Sequence, residues 1–268
     1  MRLLLLICII SNSIQFIFNK KINFRKTVCK YDKLTKIEEI KTYMNQENGY
    51  GVLSTIANYK KIKDYPQTSL VGYSVDNNGY PIFCLSNLAT HTRNLILNSK
   101  VSFFITEPGF KNEDDSRVTF TGNINRINNN KLKEKYIEAH KGSFWINFHD
   151  FNLYTLNNLK DISFNGGFSK ADKIPIKEYL NADVDIISLY YYKNYKSIKH
   201  KYYKIFEKYI KIFVKNADCF DLKKIDKFGV DFRIYKGFNT YIYRVPFNYK
   251  IDNITDFDKI IKDAFYIF

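Results

Sequence analysis

The chain has 268 residues and a formal net charge of +15, and most of that charge is concentrated in two segments. Residues 1–31 contribute +6 and residues 193–215 contribute +7, which leaves +2 for the rest of the chain. The remainder is therefore nearly neutral, which argues against a general nucleic-acid-binding surface, while the length is enough for one or two hydrophobic cores.

Residues 1–31 have the pattern of a two-part targeting leader. An apolar run at 3–10 follows Arg2 and is too short to span a bilayer, as in a secretory signal peptide. The segment 19–31 is basic and contains no acidic residue. This resembles leaders that route proteins through the secretory pathway into a plastid of secondary origin, apicoplast-like; the alternative is a plain signal peptide. No other stretch predicts a transmembrane segment.

Cysteine and histidine usage favours neither a disulfide framework nor a metal site. Two of the four cysteines lie in the leader, and the other two, Cys84 and Cys219, are far apart without zinc-type spacing. The four histidines are His91, His140, His149 and His200. Their spacing predicts no metal site, and we interpret His140 and His149 as packing or hydrogen-bonding residues.

Hydrophobic spacing predicts an ordered series of helices and strands after the leader. Residues 33–47 have helical spacing that ends at Asn48-Gly49. Strands are predicted at 51–58, 68–76, 80–86, 100–107 and 116–127, with a final strand pair at 151–157 and 161–169. Helices are predicted at 88–98 and 129–140. The sequence Asn-Asn-Gly at 77–79 predicts a hairpin turn in which Asn and Gly take positive φ.

The stretch 85–105 combines a strand end, a short helix and another strand. We expect Leu88, Leu95 and Leu97 to be the apolar positions of that helix. Four polar residues stand in a row at its start: His91, Thr92, Arg93 and Asn94. Backbone N–H groups and cationic side chains at a helix start favour phosphate or carboxylate. The alternative is a solvated helix start capped by threonine.

Several sequence pieces occur in the order found in a known superfamily. They are GVLST at 51–55, SLVGYSVDNNGYPIFCLSNLATHTRNL at 69–95, NSKVSFFI at 98–105, RVTFTG at 117–122, HDFNLYTL at 149–156 and GGFSKA at 166–171. Together they resemble the FMN-binding split-barrel superfamily, which includes pyridoxamine-phosphate oxidase. The resemblance is greatest to its HugZ-type haem-utilisation and CREG-like branch. It implies a split β-barrel, a homodimer, and a haem or FMN ligand at the dimer interface.

The resemblance also implies a set of cofactor-binding residues. They are His91, Thr92, Arg93, Asn94 and Arg117, the last on a strand expected beside the helix start. In flavin-binding relatives a Ser-Arg-Lys-type triplet holds the FMN phosphate. The equivalents here, Ala89, Thr90 and His91, are weaker donors and predict a lower FMN affinity. The resemblance identifies no catalytic residue.

Two features of the implied site leave alternatives open. Arg117 could instead form a surface ion pair with Asp114 or Asp115. In HugZ-type proteins a histidine near the C-terminus ligates the haem iron, but this chain has no histidine after His200. Any haem bound here would therefore need a different axial ligand.

The remainder of the chain predicts a second, smaller domain. The pattern breaks at 172–183 around Pro175, so we predict a barrel domain at 32–172 and a C-terminal domain at 183–268. Residues 184–215 predict a lysine-faced amphipathic helix or helix pair. Three strands near 218–225, 229–236 and 240–247 and a helix at 254–266 capped by Thr255 follow. This order resembles the small domain that often follows the HugZ-type barrel.

The predicted fold class is mainly β with α (α+β), a split β-barrel of about six strands followed by a small αβββα domain. The predicted function is a HugZ/CREG-like plastid protein that binds haem or a flavin-type ligand and acts in haem handling or redox chemistry. One alternative is a non-enzymatic regulator of tetrapyrrole synthesis, resembling the protein that binds glutamyl-tRNA reductase; another is an FMN-dependent oxidoreductase. Expected partners are a second copy of the chain and a tetrapyrrole-pathway enzyme, without nucleic acid.

Overall fold

The computed structural model describes residues 33–167 and 170–266. The predicted leader lies outside these described residues. The chain forms two compact units, one at Thr35–Tyr195 and one at Lys196–Phe268. We call them the barrel unit and the C-terminal unit.

The barrel unit contains seven strands and four shorter helices, and a long fifth helix begins at its end. The strands are β1 (Gly49–Ile56), β2 (Pro66–Val75), β3 (Pro81–Ser86), β4 (Lys100–Thr106), β5 (Arg117–Ile127), β6 (Phe151–Asn165) and β7 (Ala171–Lys173). The helices are α1 (Lys36–Met44), α2 (Thr90–Leu97), α3 (Asn130–Ala139) and α4 (Ile176–Asn181), with short 3₁₀ turns at Lys60–Ile62 and Phe144–Asn147. The long helix is α5 (Ile186–Phe213), which has a non-helical residue at Asn194.

Six antiparallel strands close into a barrel. Their order is β3-β2-β1-β4-β5-β6, and β6 pairs back with β3 to close the sheet, while β7 lies beyond β6. Because closure pairs both edge strands, it removes the exposed edges that an open sheet would present. The predicted split barrel of about six strands is confirmed.

Aromatic rings fill the inside of the barrel. Phe103 makes edge-to-face contacts with Tyr73 and Phe83, at centroid distances of 5.0 and 4.9 Å. Gly51 faces the same ring, and a Cβ there would lie 2.5 Å from Phe103. These rings are therefore closely packed in the interior of the barrel.

The predicted strand pair at 151–169 is wrong, because β6 is one continuous strand. The gap between the two predicted strands contains the polar Asn158 and Lys160, but here the chain stays extended through it. Residues 151–155 of β6 pair with β3, while residues 153–165 pair with β5. Two register shifts, at Thr121/Gly122 and Asn123/Asn125, absorb the irregularity that the sequence suggests.

The β2–β3 turn is tight for a reason that the sequence analysis missed. Of its residues only Gly79 has positive φ, at 98°, so the expectation for Asn77 and Asn78 is wrong. Instead Asp76 Oδ1 accepts hydrogen bonds from three consecutive turn N–H groups, those of Asn78, Gly79 and Tyr80. These hydrogen bonds to the Asp76 carboxylate stabilise the turn without an asparagine in the left-handed conformation.

The C-terminal unit has the predicted helix–three strands–helix order. Its elements after α5 are β8 (Cys219–Asp226), β9 (Gly229–Lys236), β10 (Asn239–Pro246), a 3₁₀ turn at Ile254–Asp256 and α6 (Phe257–Ala264), with sheet order β10-β9-β8. The cap of the final helical segment is Asn253, which accepts from the Thr255 N–H, and not Thr255 itself. In the described part of the chain, no helix combines the length and apolar character that a membrane crossing requires.

Candidate functional site

A cleft of about 220 Å³ opens on the outer wall of the barrel unit. The outward-facing residues of β2 and β3 form its floor, among them Gly72 and Cys84. The start of α2 borders one side, and α3 with the following 3₁₀ turn borders the other. Leu70, Trp145 and Phe151 supply apolar walls. The cleft is therefore mostly apolar, with a few polar groups directed into it, as is usual for ligand sites.

The strand-to-helix turn that positions α2 is held by Ser86. Its hydroxyl donates to Asp150 Oδ2 and accepts from the Leu88 N–H at 3.1 Å. The Asn87 N–H also donates to the Asp150 carbonyl, at 2.8 Å. The N-cap of α2 is Ala89, which makes no side-chain cap, so the threonine-capped alternative is wrong. The turn is thus fixed from β3 and Asp150 rather than by a cap.

Gly72 allows α3 to lie close to β2. A Cβ at this position would be 2.8 Å from Tyr136 Oη and 3.1 Å from His140 Cε1. Tyr136 and His140 are four residues apart, on one face of the helical stretch, and their rings stack at 4.6 Å. The absence of a side chain on β2 therefore makes room for the pair that borders the cleft.

The imidazole of His140 is engaged in contacts within the barrel unit. It is buried, and its Nε2 lies 2.8 Å from the Tyr73 carbonyl oxygen. Because a carbonyl oxygen only accepts, Nε2 carries the proton. The Tyr50 ring packs edge-on against the imidazole at 5.7 Å. Burial lowers the pKa of His140, and the hydrogen bond to Tyr73 opposes that shift. This agrees with the interpretation of His140 as a packing and hydrogen-bonding residue.

His91 also lines the cleft, but its ring is not engaged in this way. It lies in the first turn of α2 and is half-buried. Burial lowers its pKa, which keeps the imidazole neutral near pH 7. Among the described residues, none hydrogen-bonds to its ring. His91 therefore presents a neutral imidazole to the cleft.

The other members of the predicted row do not join His91 in the cleft. Thr92 is fully buried, and its Oγ1 has no hydrogen-bond partner. Asn94 is buried and bridges to β1 and β2, donating to Thr55 Oγ1 at 3.1 Å and to Gln67 Oε1 at 3.0 Å. Arg93 is exposed on the same helix. Only His91 of the four lines the cleft.

Leu95 is the one buried member of the predicted apolar set on α2, since Leu88 and Leu97 are exposed. The reason is that Thr92 and Asn94 take the inward positions beside Leu95. The apolar positions of this short helix therefore predicted the wrong buried face.

Arg117 does not lie beside α2 in this chain. Its strand, β5, pairs with β4 and β6, whereas α2 packs against β1 and β2. The guanidinium donates to the Glu113 carbonyl at 2.8 Å and to the Asp115 carbonyl at 3.4 Å. Arg117 is absent from the cleft lining. It therefore holds the β4–β5 loop, and its role in ligand binding stays a prediction.

The sequence analysis missed several cleft residues. Tyr136 carried a usable signal, because it lies four positions from His140 on a predicted helix. Gly72 and Trp145 carried none without the fold. Cys84 is a buried residue of β3, and burial raises the pKa of its thiol to about 11. The cleft thus holds a protonated thiol rather than a thiolate near pH 7.

An aromatic strip continues from the cleft along the surface. Phe144 contacts both Trp145 and Phe148, and Phe148 contacts Phe151, with centroid distances of 5.5 to 6.5 Å. Phe144 and Phe148 are exposed, as are Leu70 and Tyr50 at the cleft itself. Contiguous exposed apolar surface of this kind marks a ligand or protein contact. Across residues 33–167 and 170–266, no group of three or more His, Cys, Asp or Glu could hold a metal ion.

A closed six-stranded antiparallel barrel with an apolar cleft on its outer wall defines the class of split-barrel proteins. The family described as "CREG, beta-barrel" matches residues 40–181. The chain belongs to this family, which confirms the resemblance found in the sequence.

Two relatives extend this assignment. The chain is 27% identical over 241 residues to the non-canonical heme oxygenase HOZ, chloroplastic, of Arabidopsis thaliana, covering 85% of this chain and 72% of that protein. The structure of a heme binding protein from Mycobacterium smegmatis superposes with a TM-score of 0.61 at 20% identity, covering 88% of this chain and 98% of that one. At that identity the second likeness shows the fold alone.

Proposed function

We propose that the protein binds haem in the outer cleft of the barrel unit and acts in haem handling or haem degradation in a plastid. The observation that carries the proposal is an open, aromatic-walled cleft whose inward polar groups are neutral. A haem presents a flat apolar macrocycle, which such walls favour. The names of the relatives, a chloroplastic heme oxygenase and a heme binding protein, support the ligand and the compartment.

The electrostatics of α2 favour haem over FMN. Inside the cleft a phosphate would have no permanent cation to pair with, because the lowered pKa of His91 leaves its imidazole neutral near pH 7 and Arg93 is absent from the cleft lining. Arg93 is exposed on the same helix outside the cleft, where its permanent charge favours the carboxylates at the edge of a haem. Thr92 and Asn94 support the turn from inside, since both are buried.

The size of the cleft supports a site shared by two copies. Ligand pockets that enclose a drug-sized molecule measure roughly 300–1,000 Å³, and this cleft measures about 220 Å³. The exposed aromatic strip would be covered if a second chain supplied the opposite wall. A homodimer with the ligand at its interface therefore fits both the volume and the surface, and in that arrangement Arg117 of a second copy remains a candidate contact.

Bound haem would supply the redox and oxygen chemistry of its iron. The residues of this chain would do the rest. Leu70, Trp145 and Phe151 would exclude water from the macrocycle. His140 and Tyr136 would hold the helix wall in place, since His140 is tied to the Tyr73 carbonyl.

A titration of the purified chain with ferric haem and with FMN tests the ligand. We expect a Soret band that saturates with haem and no saturable flavin signal. Trp145→Ala should weaken haem binding, because it removes a cleft wall, whereas Phe238→Ala serves as a control on an exposed residue of the C-terminal unit. Equal haem binding by wild type and Trp145→Ala would place the ligand elsewhere, and no binding would overturn the proposal.

A reporter fusion tests the compartment separately. Residues 1–31 should carry the reporter into a plastid, and the apolar run alone should send it out by secretion. A reporter that stays in the cytosol with the full leader would contradict the plastid assignment.

A further inference from the structure

The two imidazoles of the cleft differ in what remains available to a ligand. His140 is buried, its Nε2–H is engaged by the Tyr73 carbonyl at 2.8 Å, and its ring is held between two tyrosines. His91 is half-buried, lines the cleft and has no hydrogen bond to its ring among the described residues. An imidazole without internal partners in an apolar cleft is open to bind something else.

The protonation states of the neighbouring side chains limit which of them could bind an iron atom in the cleft. A thiolate ligand from Cys84 would need a deprotonated thiol, but burial raises its pKa to about 11. A phenolate ligand from Tyr136 would need a lower pKa, but burial raises that pKa as well. A neutral imidazole needs no deprotonation, because its unprotonated ring nitrogen already carries a lone pair.

We propose that His91 is the axial ligand of haem iron in this cleft, which rests on the proposed function of haem binding. An unprotonated ring nitrogen of His91 would hold the iron, and bound haem would supply the redox and oxygen chemistry. This assigns the ligand that the chain lacks after His200. His140 does not ligate and acts as a positioning residue for the helix wall.

The experiment compares the full-length wild-type chain with His91→Ala, His140→Gln and His149→Ala in ferric-haem titrations, recorded by absorption and electron paramagnetic resonance. His149 is the matched control, since it is an exposed histidine of the same unit. We expect wild type and His149→Ala to show a nitrogen-ligated ferric haem, and His140→Gln to keep that signature while binding haem more weakly, because it disturbs the helix wall without removing the ligand. His91→Ala should lose that signature and bind haem roughly tenfold or more weakly. Added free imidazole should restore the signature in His91→Ala.

Each outcome has a separate meaning. A wild-type signature retained by His91→Ala would overturn the assignment while leaving haem binding intact. Loss of the signature in His140→Gln alone would transfer the ligand to His140 and overturn it as well. If wild type binds no haem, the proposed function fails and the inference fails with it. Restoration by imidazole supports the assignment and shows that the variant keeps a folded cleft.

Discussion

The cleft of the barrel unit and the buried ion pairs of the C-terminal unit use polar side chains differently. In the C-terminal unit, Arg244 is largely buried and donates to Asp226 at 2.7 Å and to Asp231 at 3.0 Å. In the cleft, His91 has no such partner among the described residues. Buried polar groups that hydrogen-bond to one another stabilise the fold. A half-buried polar group without an internal hydrogen bond is instead available to a ligand.

The two regions also differ in how closely they are packed. In the C-terminal unit, Phe206 contacts Phe232 at 5.1 Å and Phe265 at 4.8 Å, which gives a closed aromatic core. The cleft instead leaves about 220 Å³ open. Substitutions in the closed core should therefore cost more stability than substitutions at the cleft, and the predictions below run in that order.

The largest effect is expected for Phe257→Asp in the C-terminal unit. Phe257 is 2% exposed and packs edge-on to Tyr202 at 6.4 Å. The substitution would bury an uncompensated carboxylate and lower the unfolding free energy of this unit by roughly 4–5 kcal/mol. Phe238→Asp is the control, because Phe238 is fully exposed. Thermal unfolding followed by circular dichroism measures both, and an unchanged curve for Phe257→Asp would contradict the packing.

Arg244→Met should cost less, at about 3 kcal/mol, because it removes the cation that pairs with the largely buried carboxylates of Asp226 and Asp231. Burial alone would lower the pKa of Arg244, but the carboxylates of Asp231 and Asp226 raise it above its ordinary value. Lys211→Met is the control, since Lys211 pairs with Glu207 on an exposed helix face. That control should change stability by about 0.5 kcal/mol or less. Chemical denaturation compares them, and equal losses would show that burial of the ion pair is unimportant.

The sequence predicted the strands and their barrel because alternation and the family resemblance agreed at most positions. The row at 91–94 was found because four donors at a helix start are visible in the sequence. The sequence did not show which of the four residues are buried and which face the cleft, because that depends on which face of α2 packs against β1 and β2. Only the fold shows that Asn94 bridges two strands while His91 faces the cleft.

Long-range contacts account for the rest of what the sequence could not show. Gly72 is an ordinary strand glycine until α3 places Tyr136 and His140 against it. The family resemblance led us to expect Arg117 beside α2. A resemblance in the sequence of a strand does not determine which strands a helix packs against. The continuity of β6 was missed because the polar Asn158 and Lys160 are accommodated by register shifts in the pairing of β6 with β5.

Gly72→Ala tests whether the glycine makes the cleft. The new Cβ would lie 2.8 Å from Tyr136 Oη, so the side chains of Tyr136 and His140 must shift, and we expect a loss of about 1–3 kcal/mol together with weaker haem binding. Thr68→Ala is the matched control, since Thr68 is exposed on the same strand. Urea unfolding and haem titration measure the two effects. Unchanged binding with unchanged stability would mean that α3 is not constrained at this position.

The smallest effect is expected in the pH dependence of the barrel unit. Burial lowers the pKa of both His91 and His140 in the folded state. Above about pH 7.5, one unit over the ordinary histidine pKa, these side chains are neutral in both the folded and unfolded chains, so they add no slope. Below that value the unfolded chain binds protons that the folded chain resists, so stability falls as the pH drops toward the folded-state pKa.

His140→Gln isolates the contribution of the internally bonded imidazole from that of the open one. Glutamine keeps an N–H donor for the Tyr73 carbonyl but does not titrate, so the variant should lose stability less steeply than wild type between about pH 7.5 and about pH 5.5. His200→Gln is the control, because His200 is an exposed histidine of the C-terminal unit. Urea unfolding across this range gives the slopes. A slope for His140→Gln equal to that of wild type would show that protonation of His140 does not oppose folding, and the cleft's acid sensitivity would then belong to His91.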